Sequence, residues 1–189
     1  MTMKNASFEI NIGGVKRALP LCRVNDELYI AAFVMFGDVE ITEVSARELL
    51  KIAPEFDVIM TAEAKGIPLA YEMARQSGKY RYIVARKYPK LYMKSVFSTS
   101  VRSITTDKEQ TLYLAQDEAE YIKGKKVLLV DDVISTGESI RAVEELAKRA
   151  GAEIAGKVTV LVEGAAQMRT DVGYLGVIPV FDGEGNPKE

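Results

Sequence analysis

Short apolar runs separated by amphipathic stretches recur along most of the chain, and their alternation is the pattern of an α/β protein. Val127-Leu128-Leu129-Val130 are four consecutive apolar positions, which predict a strand buried on both faces, as in a parallel sheet. The stretch 140–150 that follows has helical spacing and ends at Gly151, so it predicts a helix. Further strands are predicted over 57–61, 80–85 and 157–162, with a helix from the loop after Thr61 to about Ser77. A short helix near 165–172 and a last apolar stretch over 177–181 follow. Ser45-Ala46-Arg47-Glu48 reads as a capping box that opens a helix running through Leu49-Leu50 to Pro54. Ahead of it, 8–12 and 15–24 flank the turn Gly13-Gly14. Asn25-Asp26 then turns into an apolar strand over 28–36, broken by Gly37-Asp38. The expectation is one domain over 1–189. A small β-rich N-terminal hood (1–40) would precede an α/β core (41–181), a central mostly parallel sheet flanked by helices with right-handed crossovers. The tail 182–189 is expected to fray.

Composition narrows the chemistry more than the fold. The 189 residues suit one domain, and no apolar run approaches the ~20 residues that span a bilayer. Residues 1–12 lack the basic start and apolar core of a secretion signal. One cysteine, Cys22, fits a reducing compartment, so the cytoplasm is the expected location. A net charge of −2 gives no field to gather nucleic acid. The chain has no histidine, which excludes Ser-His-Asp and Cys-His nucleophilic schemes, histidine metal sites and histidine proton relays. Chemistry must use carboxylates, lysines, arginines, backbone amides or a metal held by oxygen.

Such groups converge after the 127–130 strand. Asp131 and Asp132 stand at its carboxyl end, and Ser135-Thr136-Gly137-Glu138-Ser139 leads into the next helix. Hydroxyls, a glycine and the first free N–H groups of a helix make a cradle for one phosphate. The carboxylates alongside can hold sugar hydroxyls directly, or a hydrated Mg²⁺ through its waters. Phosphate, diol and divalent metal together describe a phosphorylated ribose. Receiver domains also place paired acids after an apolar strand, but near the N-terminus and with a further Asp on a later strand. Here 158–162 is followed by Glu163-Gly164. A Walker loop needs Gly-Lys before its hydroxyl, and this turn has no lysine.

The run Val127 to Ser139 resembles the 5-phosphoribosyl-1-pyrophosphate (PRPP) signature of type I phosphoribosyltransferases: a hydrophobic run, two acids, then Thr-Gly-x-Ser/Thr. Glu138 departs, since that slot is commonly small, and its carboxylate would have to point away from the ligand. The resemblance implies that Asp131 and Asp132 hold the ribose, with any Mg²⁺ contact made through water. It implies that Ser135, Thr136, Gly137, Glu138 and Ser139 hold the 5′-phosphate. Glu63-Ala64-Lys65-Gly66 resembles the pyrophosphate loop of adenine phosphoribosyltransferases, with Lys65 where arginine is usual, and that loop often contains a non-proline cis peptide. Arg86-Lys87-Tyr88-Pro89-Lys90-Leu91 is similar to the Arg-Lys-x-x-Lys-Leu run of the purine enzymes. That similarity brings Arg86, Lys87 and Lys90 toward pyrophosphate. Lys65, Arg86, Lys87, Lys90, Asp131 and Asp132 are thus the expected catalytic set. Residues 92–114, polar with β-alternation at both ends, stand where the family has a flexible lid.

The implied activity is transfer of phosphoribose from PRPP to a free purine, with Mg²⁺, in a homodimer whose apolar N-terminal strands would suit the interface. Adenine is the first choice. Ile104-Thr105-Thr106-Asp107-Lys108 lacks the glutamate that adenine enzymes carry in the lid. The spacing of Ser98, Ser100 and Ser103 is similar to xanthine enzymes, which leaves xanthine or guanine as the alternative. Those enzymes hold an oxopurine with a lysine after Val-Glu, where this chain has Gly164. The alternative of another class is a PRPP-sensing regulator. Its relatives put a helical DNA-binding domain ahead of the sheet, and 1–40 reads as strands without a basic recognition helix. No nucleic-acid or membrane partner is expected.

Overall fold

The computed structural model of the chain describes residues 7–102 and 109–188. At its centre β4 (Val58–Ala62), β5 (Tyr82–Ala85), β8 (Lys126–Ile134), β9 (Glu153–Glu163) and β10 (Gly173–Ile178) form a parallel sheet in the order β10-β9-β8-β4-β5. The apolar run in β8 alternates as a doubly covered strand must. Leu128 and Val130 join one core with Ile59, Leu69 and Met73, while Val127 and Leu129 join the other with Met60, Ile140, Val143 and Leu146. Helices α1 (Val39–Ile52) and α2 (Ile67–Gln76) cover the first face, and α4 (Glu138–Arg149) covers the second. From β4 the chain moves to β5 on one side and later returns to β8 on the other. The loops after β4 and β8 therefore diverge over a crevice at the carboxyl ends of adjacent strands, where open α/β sheets bind ligands.

The N-terminal hood is an antiparallel sheet of β1 (Ser7–Ile12), β2 (Val15–Arg23), β3 (Tyr29–Ala31) and β11 (Val180–Phe181), so the chain's end closes its beginning. The strand expected over 28–36 shortens to β3. Residues 32–37 leave the sheet, and Phe33 and Met35 turn into the first core. The helix start expected at Ser45 is corrected to Val39. Asp38 caps it by accepting the Ile41 N–H (3.2 Å), and Arg17 of β2 holds Asp38 through a pair of hydrogen bonds at 2.6 and 2.9 Å. The Arg17 guanidinium keeps the Asp38 carboxyl below the usual carboxylate range. Ser45 is instead buried in mid-helix, and Glu48 pairs with Lys51 and Arg47.

The segment 92–114 is largely ordered as a hairpin. Strands β6 (Val96–Arg102) and β7 (Glu109–Ala115) pair antiparallel, with Ser100 Oγ 2.8 Å from Thr111 Oγ1 across them. Tyr113 exchanges backbone hydrogen bonds with Arg86 at 2.8 and 2.9 Å, which ties the hairpin to the end of β5. Ser103 and 104–108 lie outside the described residues. A helix that the pattern did not predict, α3 (Gln116–Ile122), follows β7 and buries only Ala119 and Ile122. Strand β9 begins at Glu153, four residues before its expected start at 157. The helix expected near 165–172 is a 3₁₀ turn over Gly164–Met168, and 177–181 divides between β10 and β11. The tail is tied rather than frayed through 188: Asp182 accepts the Glu184 and Asn186 N–H groups, and Lys188 N–H bonds Val180 O at 2.8 Å. Among the described residues no helix is long and apolar enough to cross a membrane.

Candidate active site

Strand β8 runs past the two acids: Asp131 and Asp132 lie within it, Val133 and Ile134 complete it, and the turn Ser135-Thr136-Gly137 then leads to α4. Asp132 is buried and Asp131 half-buried, and the Asp132 N–H donates to Asp131 Oδ1 at 3.0 Å. Burial and the adjacent Asp132 charge push the Asp131 carboxyl up to about 7, against the pull of Lys65. Two carboxyls this close titrate as a pair. Asp132 Oδ2 is buried without a hydrogen-bond partner, although Lys65 Nζ stands 2.9 Å from it as an ion pair. With Lys65 as the neighbour of one oxygen, the all-oxygen donor pair fits a hydrated Mg²⁺ or a sugar hydroxyl. Among the described residues no cluster of three or more acids, histidines or cysteines could hold a metal alone. A metal here would therefore need ligand oxygens and waters beside these two acids.

The loop after β4 faces this pair. Glu63-Ala64 is a cis peptide bond, the feature that the family resemblance implied. The Glu63 N–H donates to Ala85 O, fastening the loop to the end of β5. Glu63 Oε2 accepts the Lys87 N–H at 3.1 Å, and Lys90 Nζ approaches Oε1 at 3.3 Å. These contacts, the Lys87 amide first, hold the Glu63 carboxyl below its ordinary range. Gly66 packs against Asp131: a Cβ there would stand 3.4 Å from Asp131 Oδ1 and collide with Thr61 Oγ1. Gly66→Ala is accordingly expected to cost about 1–3 kcal/mol of stability, read as a lowered Tm. An unchanged melting curve would show that the loop has slack.

The structure thus brings Glu63 to Lys87 and Lys90, Lys65 to Asp132, and Gly66 to Asp131. Lys65 pairs with Asp132 and Lys90 with Glu63, so two of the four cations expected to meet pyrophosphate are matched by carboxylates of the same crevice. Arg86 is half-buried at the end of β5, and its Nε is itself buried, with no hydrogen-bond partner among the described residues. In the signature turn Ser135 and Thr136 are exposed and Ser139 is half-buried. Gly137 takes φ +78° as the N-cap of α4, and the Glu138 N–H lies 3.4 Å from Thr136 Oγ1. Sequence reasoning missed Arg169. It arrives from the turn after β9, and its Nη1 occupies the place a Cβ on Gly137 would take. Nothing in Gln167-Met168-Arg169-Thr170-Asp171 marks it beforehand. A separate cavity of about 410 Å³, lined by Met35, Asp38, Thr42, Pro68, Tyr71 and Arg75 among others, shares no residue with the candidate set.

In the N-terminal hood ahead of α1, where a partner surface was expected, the exposed large apolar side chains are Val24, Val34 and Phe36. Tyr88, Leu91 and Tyr92, in and after the basic run, are exposed as well.

A family profile described as "Phosphoribosyl transferase domain" matches residues 38–181. An adenine phosphoribosyltransferase of Thermotoga sp. (strain RQ2) is 37% identical over 100 residues, covering 53% of this chain and 55% of that protein. The chain therefore spans about half the length of that relative. A hypoxanthine/guanine phosphoribosyltransferase of Methanococcus voltae is 35% identical over 134 residues, 70% of this chain and 67% of that protein. The crystal structure of an adenine phosphoribosyltransferase from Thermoanaerobacter pseudethanolicus superposes with a TM-score of 0.59 at 21% identity, covering 91% of this chain and 95% of the other. That last likeness is one of fold.

Proposed function

We infer the reaction from one premise: the chain belongs to the phosphoribosyl transferase family. We propose that it transfers 5-phosphoribose from PRPP to a free purine, giving a nucleoside monophosphate and pyrophosphate. The observation that carries the reading is Lys65 Nζ at 2.9 Å from Asp132 Oδ2, with Gly66 against Asp131. The loop suited to pyrophosphate and the acids suited to ribose are thereby neighbours in one crevice, as a molecule carrying both groups requires. In this reading Asp131 and Asp132 hold the 2′- and 3′-hydroxyls, and Ser135 to Ser139 hold the 5′-phosphate through amides and hydroxyls. Lys65, Gly66, Arg86, Lys87 and Lys90 receive the leaving pyrophosphate, with Glu63 and Ala64 shaping their loop. Mg²⁺, when bound with PRPP near the acid pair, supplies charge neutralisation for the departing group. The protein's own part is to orient the ribosyl carbon, neutralise charge as the bond breaks, and keep water away.

Adenine is the proposed base. Glu-Ala-Lys-Gly and Arg-Lys-x-x-Lys-Leu favour it, as does the name of the Thermotoga relative. Gly164 takes φ +55°, so a lysine in the place where oxopurine enzymes carry one would meet a backbone that side chains rarely adopt. Xanthine or guanine is the alternative, supported by the name of the Methanococcus relative. Pyrophosphate release with PRPP and each of adenine, guanine, hypoxanthine and xanthine is the deciding measurement, with adenine expected to give the largest kcat/KM. A larger value for an oxopurine would reverse the assignment. PRPP binding without turnover of any base would favour the sensing regulator instead. We also propose a homodimer, with Tyr88, Leu91 and Tyr92 covered by the partner so that the basic run borders the neighbouring site. Sedimentation should give about twice the 20.9 kDa chain mass, and a monomer at catalytic concentrations would refute it.

A further inference from the structure

We propose that Arg169 is the cation of the 5′-phosphate cradle, entering from the turn after β9 and not from the signature loop. The inference rests on the phosphoribosyl reading above and adds to it a residue outside the motif. Residues 135–139 contain no cation and one acid. A phosphate monoester carries about −1.5 to −2 charge near neutrality, so amides and hydroxyls alone would leave it incompletely balanced in a half-covered crevice.

Arg169 is placed to supply that balance. A Cβ added to Gly137 would run into Arg169 Nη1. The guanidinium therefore lies against the backbone that caps α4, at the end of the helix where anions are favoured. The absence of a side chain at Gly137, together with its φ of +78°, lets the two come so close. Nε and Nη2 of Arg169 are held by Asp171 at 2.9 and 2.7 Å. Asp171 is held in turn by Lys157 (2.9 Å), Lys157 by Glu144 of α4 (2.7 Å), and Glu144 by Lys148 (2.6 Å). The linked groups comprise three cations and two carboxylates, an excess of one positive charge. A cation at the start of a helix opposes the macrodipole unless an anion sits between them. Asp171 already holds the guanidinium and Glu138 stands in the first turn of α4; a phosphate on the signature loop would be a further anion beside Nη1. It would receive a charge-assisted hydrogen bond from a guanidinium whose orientation Asp171 has already fixed.

Calorimetric titration of the full chain with ribose 5-phosphate and, separately, with inorganic pyrophosphate tests this, using Arg169→Gln, Arg169→Lys and Thr136→Val. Arg169→Gln should weaken ribose 5-phosphate about 10- to 100-fold and leave pyrophosphate affinity within about twofold. Arg169→Lys should recover part of the loss, and the salt dependence of ribose 5-phosphate binding should become shallower in Arg169→Gln. If Thr136→Val weakens ribose 5-phosphate while Arg169→Gln does not, the role of Arg169 is overturned and the cradle stands. If ribose 5-phosphate binds and neither variant affects it, the cradle reading falls as well. Equal loss for both ligands in Arg169→Gln, with a lowered Tm, would mark Arg169 as a structural brace and overturn the proposal.

Discussion

Lys65→Ala is expected to lower kcat for phosphoribosyl transfer by about 30- to 1000-fold, with a much smaller change in KM for PRPP. The pyrophosphate gains negative charge as the glycosidic bond breaks, so a cation aimed at it stabilises the transition state more than the ground state. Loss of one such contact in a shielded site is worth about 2–4 kcal/mol. Arg86→Ala should behave alike, since Arg86 follows Ala85, whose carbonyl accepts the Glu63 N–H and so fastens the same loop. Thr136→Val should instead act mainly on KM, because the 5′-phosphate does not change charge during reaction. Lys65 also lowers the proton affinity of Asp131, so Lys65→Ala would leave Asp131 protonated to higher pH. Kinetics at pH 8.5 as well as pH 7 separate the two effects: a deficit confined to the lower pH belongs to the acid pair, and one that persists belongs to lost pyrophosphate contact. If both Lys65→Ala and Arg86→Ala raise only KM while kcat holds, the transition-state role is wrong.

The centre of the sheet and the acid pair were legible in the sequence because β8 is covered on both faces. A strand so placed must be apolar throughout, and two acids at its end then stand out against it. The start of α1 was not legible, because two capping signals compete there and Arg17, distant in sequence, favours Asp38 by holding it through two hydrogen bonds. The hairpin over 92–114 was obscured by its composition: the residue buried between the exposed Ser98 and Ser100 is Thr99, a polar side chain, while the apolar alternation is carried by Leu112 and Leu114 of the other strand. Helix α3 has one turn of buried side chains and no long periodic stretch to announce it. Arg169 could not be found at all, since its meaning comes from β9 lying beside β8, which brings the turn after one strand over the glycine after the other. Local patterns are readable where burial dictates residue type, and become silent where a side chain's role depends on which loops the topology makes neighbours.

Replacing Asp131 and Asp132 together by Asn is expected to weaken PRPP binding at least tenfold, because shape is kept while the charge that holds the diol, and any hydrated Mg²⁺ with it, is removed. Unchanged binding in that double variant would end the assignment. The pair also predicts a pH dependence of definite sign. Asp131 binds its proton up to about 7 in the folded chain, against 3.8 for an ordinary Asp. Its contribution to stability is therefore full below about pH 4 and is lost as pH rises through 7. Asp38, Glu63 and Asp171, held below their ordinary ranges by their partners, act in the opposite sense and lose their stabilisation on acidification. Between pH 5 and 7.5 the Tm of the unmodified chain should fall relative to that of Asp131→Asn, which has no proton to lose there. PRPP with Mg²⁺ engages the ionised pair, so binding should release a proton near pH 6.5 and tighten toward pH 8. Titration in buffers of different ionisation enthalpy measures that release directly. If no proton is released, and Asp131→Asn follows the parent Tm across the range, the pair is ionised before the ligand arrives. Lys65 would then be compensating it more fully than burial and like charge oppose it.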